Sequence, residues 1–183
     1  ASASYVDSII YIIGGYHVLP NRLEVSSKLV HRFDTRGDTF LTNGANIPIP
    51  IDDQVQVVKG KYIYVITGWS DGSNVNNVQI YDTELDTWLI GTPTPNTQQF
   101  KAFGATGVVQ DSIIYYFGGA IDRGSFPSQS HMRKGVIDAQ DPTKITWSLD
   151  TTLSTIGYRM GAGVTMDWRY PVTFFGGSVQ SFN

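Results

Sequence analysis

The octapeptide YDTELDTW runs from Tyr81 to Trp88, and 48 residues upstream the chain reads FDTRGDTF from Phe33 to Phe40. Phe33 aligns with Tyr81, Asp34 with Asp82, Thr35 with Thr83, Asp38 with Asp86, Thr39 with Thr87 and Phe40 with Trp88. An Asp after an apolar run is suited to a turn, because its carboxylate accepts backbone N–H bonds two residues on. The flanking aromatics then fall on neighbouring antiparallel strands, where their rings fill the space between one sheet and the next.

A third copy is looser. IDAQDPTKITW, from Ile137 to Trp147, keeps an apolar residue before Asp and a closing Trp but spaces them by ten, which aligns Ile137 with Tyr81. Upstream of each copy a β-branched and aromatic run ends in glycine: SIIYIIGG at Gly15, YIYVITG at Gly68 and SIIYYFGG at Gly119, with YPVTFFGG at Gly177 as a fourth. A period of this length marks a repeat architecture. Each unit reads as four short strands. In the second, QVQVVKGKYIYVITG is a hairpin turning at Lys59-Gly60-Lys61, VQIYD is the third strand and TWLIG the fourth.

Composition agrees with an all-β chain. Of 183 residues, 13% are aromatic and 16% charged, with 19 glycines. A net charge of −3 without clustered Lys and Arg gives no reason to expect nucleic acid or an anionic membrane surface. No run approaches the roughly 18 apolar residues of a membrane-spanning helix, so a soluble chain is expected. The start, ASASYVDS, carries no basic region followed by an apolar one, so no secretory leader is read there. The absence of cysteine excludes disulfides, thiolate nucleophiles and cysteine metal sites within this sequence.

The repeat resembles the kelch motif, marked by a diglycine after the second strand and a Tyr separated from a Trp by six residues. Departures are Thr67 for the first glycine of the second pair, Phe40 for Trp and Ile137 for Tyr. The resemblance covers the whole chain and implies a single kelch-type β-propeller domain of four-stranded antiparallel blades. Blades are expected at about 1–50, 51–101 and 102–158, with the first hairpin of a fourth at 159–183. Kelch rings have roughly five to seven blades, so three and a half imply further blades from a longer chain. Two copies do not close a ring, since both ends supply first and second strands.

In such a blade the loops joining strand two to three gather at one mouth of the axial channel. Here they are long: Tyr16 to Lys28, Trp69 to Asn77 and Ala120 to Lys134. Long loops on a rigid scaffold carry binding groups. Counting back from the glycines brings Asp52, Phe103 and Arg159 to one equivalent position at the inner end of strand one, where family members often have Arg. The candidate ligand-binding residues are therefore Tyr16, His17, Arg22, Asp52, Trp69, Asp71, Lys101, Asp122, Arg123, Phe126 and Arg159. Their charges either hold a ligand or pair with one another across blades.

Other chemistry is weakly represented. Asp52 and Asp53 are adjacent on a strand and point to opposite faces, which is unsuited to a general acid and base. The three histidines have no metal-ligand spacing, DGSNVNN from Asp71 lacks the calcium-loop pattern, and Arg36-Gly37-Asp38 falls in the turn on the opposite face. Neither a metal nor a cofactor is expected. Some kelch propellers resemble galactose oxidase, whose cofactor joins a tyrosine to a cysteine, and these blades have no cysteine for it. The resemblance implies a binding module for a glycan or a protein segment. The alternative is an enzyme similar to the kelch-type sialic acid mutarotases, with Arg159 as cation and Asp52 or His17 moving protons. Low lysine, frequent Thr, Asn and Gly, and the sugar-related resemblance point to a secreted or bacterial-envelope setting.

Overall fold

Short apolar runs broken by Asp, Asn and Gly leave the chain little choice but strands. The computed structural model describes residues 1–150, 163–165 and 173–178. In blade 1, β1 (Ser2–Val6) and β2 (Ile9–Ile13) form a hairpin. The short pair β3 (Tyr16–Val18) and β4 (Glu24–Ser26) rises from its end, and β5 (Val30–Asp34) and β6 (Thr39–Phe40) complete the sheet β1-β2-β5-β6.

The pattern returns in blade 2 with β7 (Val55–Lys59), β8 (Tyr62–Ile66), the small pair β9 (Trp69–Ser70) and β10 (Ser73–Asn74), then β11 (Val78–Asp82) and β12 (Thr87–Ile90). Blade 3 consists of β13 (Phe103–Gln110), β14 (Ile113–Ala120), β15 (Met132–Ile137) and β16 (Ile145–Asp150). A further hairpin pairs β17 (Gly163–Thr165) with β18 (Thr173–Phe175). The first strands β1, β7, β13 and β17 contact one another in succession, which makes them the innermost.

The core lies between blades. Val6, Tyr11, Ile13 and Val30 of blade 1, with Ile47 and Ile51 of the linker, cluster with Ile63, Val65 and Tyr81 of blade 2. Tyr64 and Ile66, the alternate residues of β8, turn the other way and join Val57, Val78 and Ile80 against Ile114, Tyr116 and Ile145 of blade 3. A middle strand is thus buried on both faces, which explains its unbroken apolar run. Each such side chain contributes about 1.5–3 kcal/mol.

The repeated octapeptide does what its spacing predicts. Tyr81 sits opposite Trp88 and Phe33 opposite Phe40. The carboxylates of Asp34, Asp82 and Asp138 each accept a backbone N–H two residues on, from Arg36, Glu84 and Gln140. The Trp88 indole N–H reaches back to the Ala45 carbonyl in the linker leaving blade 1, at 2.7 Å. Trp147 repeats this with Thr92 in the linker leaving blade 2, at 3.0 Å. Phe40 has no N–H to give and is 65% exposed.

Glycine at or just past the end of strand two is required by conformation: Gly14, Gly15, Gly68, Gly118 and Gly119 all have positive φ. A Cβ at Gly14 would meet the Ile51 carbonyl oxygen at 2.3 Å. Thr67 holds the same left-handed backbone at φ 48. Its hydroxyl donates to the Val75 carbonyl and accepts from the Ala102 N–H, which compensates.

One alignment is corrected. Ile137 does not take the place of Tyr81. The residue opposite Trp147 is Gly135, whereas Ile137 pairs with Ile145. Strands β15 and β16 extend further than their counterparts, so the Asp turn is displaced and counting from it slips the register. The Trp147 ring lies over Gly135, where a Cβ would meet it at 2.4 Å, and packs edge-on against Tyr116 at 5.9 Å. Placing the family's tyrosine there with Gly135→Tyr is therefore expected to destabilise the chain by about 2–3 kcal/mol, read from the urea midpoint.

Candidate functional site

The turn after strand two sends three loops to the same end of the sheet stack. They are the β3–β4 hairpin, the β9–β10 hairpin and the segment from Ile121 to His131. The expected equivalence at the inner end of strand one holds in register: Asp52 bridges to Trp69 as Phe103 pairs with Ala120. Arg159 lies outside the described residues.

Asp52 is 6% exposed and accepts a 2.6 Å bond from the Ser26 hydroxyl of blade 1. That hydroxyl also accepts the Asp71 N–H at 3.0 Å, while the Asp71 carboxylate accepts the Ser26 N–H at 3.0 Å. Ser26 therefore ties the hairpins of blades 1 and 2 together. It ends β4, in an excursion between strands two and three that has no repeat register, so no sequence signal singled it out. Burial pushes the Asp52 carboxyl up to about 6, against the lowering effect of the Ser26 bond and with neighbouring Asp53 adding repulsion. Burial also raises Asp53.

Trp69 faces blade 3. Its ring packs edge-on against Phe103 at 5.4 Å and Phe126 at 5.7 Å, and those two rings lie 5.6 Å apart. Asn74, opposite Trp69 on β10, donates to the Ala120 carbonyl at 3.3 Å, and its buried Oδ1 has no donor. Phe126 carries φ 54, a conformation costing a bulky residue about 1–3 kcal/mol.

The other candidates spread around this centre. Tyr16 and His17 are exposed on β3, and Arg22 is exposed at the tip of the same hairpin. Asp122 and Arg123 are exposed beside Phe126, and Lys101 is half-buried after a turn closed by its own N–H on the Thr97 carbonyl at 2.9 Å. The structure thus brings Asp52, Asp71, Trp69 and Phe126 into two linked clusters and leaves Tyr16, His17, Arg22, Lys101, Asp122 and Arg123 as a rim. Among the described residues no cluster of three or more His, Asp or Glu is placed to hold a metal.

Sequence reasoning missed a buried cation. Arg133 on β15 is 0% exposed, lies 5.1 Å over the Tyr116 ring and donates to the carbonyls of Gln99 (2.6 Å), Gly118 (2.6 Å) and His131 (3.1 Å). Burial pushes it down to about 10. It clamps the linker between blades 2 and 3 to the end of strand two. At the opposite end a cleft of about 370 Å³ is lined by Lys59, Lys61, Tyr62, Tyr64 and Pro142. Its ammonium groups are taken up by Ser112, Asp82 and Glu84.

Because the fold holds the Asp52 proton more tightly than an unfolded chain does, stability is expected to fall as pH rises from about 4 to 6. Asp52→Asn removes this slope. In urea denaturation at pH 4 and pH 7 the variant should gain about 1–2 kcal/mol on the wild type between the two conditions, allowing for screening.

Comparison with known proteins agrees with this architecture. The Kelch motif model matches residues 57–95. Kelch-like protein 15 is 26% identical in Gallus gallus and 25% in Homo sapiens over 114 residues, or 62% of this chain. A putative F-box/kelch-repeat protein of Arabidopsis thaliana is 30% identical over 115 residues. The matches span only 22%, 18% and 27% of those proteins, so the chain covers about a fifth to a quarter of each. The solved structure of YjhT superposes with a TM-score of 0.78 at 13% identity, over 96% of this chain and 57% of that one. Residues 57–95 thus carry a Kelch motif, and the repeat, the blade register and the superposition give the chain the fold of a kelch-type β-propeller.

Proposed function

We propose that the loop face of this propeller chain binds a segment of a partner protein. The observation that carries the reading is the segregation of charge. Among the described residues the ion pairs are Arg32–Asp86, Lys61–Asp82, Lys61–Glu84 and Lys144–Asp141, all on strands or turns away from the loop face. Arg22, Asp71, Lys101, Asp122 and Arg123 are in none of them. Charges without ion partners surrounding half-buried aromatics match the rim and centre of a protein interface. Kelch-repeat proteins generally serve as protein-interaction modules, in keeping with this use.

A second reading has Asp52 in its favour. A carboxyl held near 6 is poised to give and take protons close to neutrality, as an enzyme similar to the sialic acid mutarotases would need. If anomer exchange of N-acetylneuraminic acid stays at its uncatalysed rate with the protein present, that reading is removed.

Selection of peptides from a displayed random library, with a glycan array run in parallel, tests the interaction surface. Trp69→Ala is expected to weaken selected peptides at least tenfold, or about 1.4 kcal/mol. Lys61→Ala, on the other face, should leave affinity within about twofold. Unchanged affinity in the Trp69 variant would move the site off this face, and glycan capture without peptide capture would change the ligand class.

A further inference from the structure

The segment after β14 doubles back on itself through a bridge between Ala120 and Ser128 and a 3.1 Å bond from the Ile121 N–H to the Pro127 carbonyl. Its tip is closed by the Phe126 N–H on the Arg123 carbonyl at 3.0 Å. Phe126 then adopts φ 54 immediately before Pro127. Both features are unfavourable: a bulky L-residue avoids the left-handed region, and a following proline pushes its predecessor toward extended backbone. Such a conformation persists only when surrounding contacts hold it.

The ring supplies a holding contact. It stands nearly perpendicular to Trp69 (87°) and Phe103 (85°), in the edge-to-face geometry that aromatic quadrupoles favour. Among the described residues Trp69 and Phe103, themselves at 71°, wall a seat at the junction of blades 2 and 3. The occupant is the chain's own phenyl group, on a loop whose neighbouring tip residues Asp122 to Ser125 are exposed. Beside the seat, Asn74 is 5% exposed and its Oδ1 is a buried acceptor with no donor, a match for a peptide N–H.

We propose that the Trp69–Phe103 seat receives an aromatic side chain from the partner segment, and that Phe126 is an internal surrogate which that side chain displaces. This rests on the reading of the loop face as an interaction surface. The seat's preference follows from what fills it now. One ring exchanged for another changes the contacts little, while release of the left-handed backbone at Phe126 favours the exchange. The surrogate also discriminates, since a segment without an aromatic residue cannot replace the contacts it would break.

The test uses N-acetyl-L-phenylalanine amide as probe, titrated into 15N-labelled protein while following the Trp69 indole N–H, assigned through Trp69→Phe. Phe126→Gly empties the seat and accepts the backbone conformation. It is expected to bind the probe at least tenfold more tightly than wild type, with no gain for N-acetyl-L-alanine amide. In the wild type, saturating probe should abolish proton contacts between the Phe126 and Phe103 rings. Equal affinity in wild type and variant, or rings still in contact with probe bound, overturns the proposal. If Phe126→Gly loses its amide dispersion, the wild-type ring contacts decide alone. Peptide capture that depends on Trp69 without any gain in Phe126→Gly would sink the surrogate and leave the interaction surface standing. Capture indifferent to Trp69 would sink the surface itself.

Discussion

A β-strand buried on both faces has nowhere to put a polar side chain except at its ends. That constraint governs this molecule. Ile63 and Val65 of β8 are committed to blade 1, and Tyr64 and Ile66 to blade 3, so the middle of the sheet is unavailable for chemistry. Polar groups that do enter the stack are used to join blades. Gln54, just before β7, and Gln56 of β7 donate to the Ile13 carbonyl and the Ser4 hydroxyl of blade 1, and Arg133 secures the next linker. Exposed polar groups are therefore pushed to the rims, and the positive-φ turn at the end of strand two decides which rim receives the long loops.

The two rims are built differently. On the turn side, Asp carboxylates are saturated by backbone N–H groups and by Lys61, and the indoles are locked onto linkers. On the loop side, bonds run between hairpins of successive blades, through Ser26 with Asp52 and Asp71 and through Asn74 with Ala120. Loops of separate blades are thus positioned relative to one another by a few short side chains. The first rim holds the stack together, whereas the second holds an arrangement of exposed groups.

Much of the fold was legible because its constraints are local. The Asp turn, the glycine pair and the alternation of β8 each follow from backbone geometry within a few residues, and counting from glycine placed Asp52 level with Phe103 correctly. Counting from the Asp turn failed at Ile137, because a longer strand pair moves a turn without moving the register nearer the core. The candidate site was legible only in part. Trp69 and Phe126 belong to loops whose length attracts attention, but their meeting depends on long-range packing. Ser26 matters through partners 26 or more residues away, Arg133 reaches the linker through Gln99, 34 residues upstream, and Phe126-Pro127 reads as extended backbone when it is not.

The indole contacts also have a direction. Trp88 fastens the linker that leaves blade 1, and Trp147 the linker that leaves blade 2, so each blade secures the connection behind it and leaves its own exit to the next. In a stack where stability is shared between neighbours, such contacts make the order of synthesis the order of consolidation. A blade leaving the ribosome stays incompletely fastened until its successor is made, and the newest blade is always the loosest. Growth of the propeller is then a one-way ratchet, with tryptophan as the pawl.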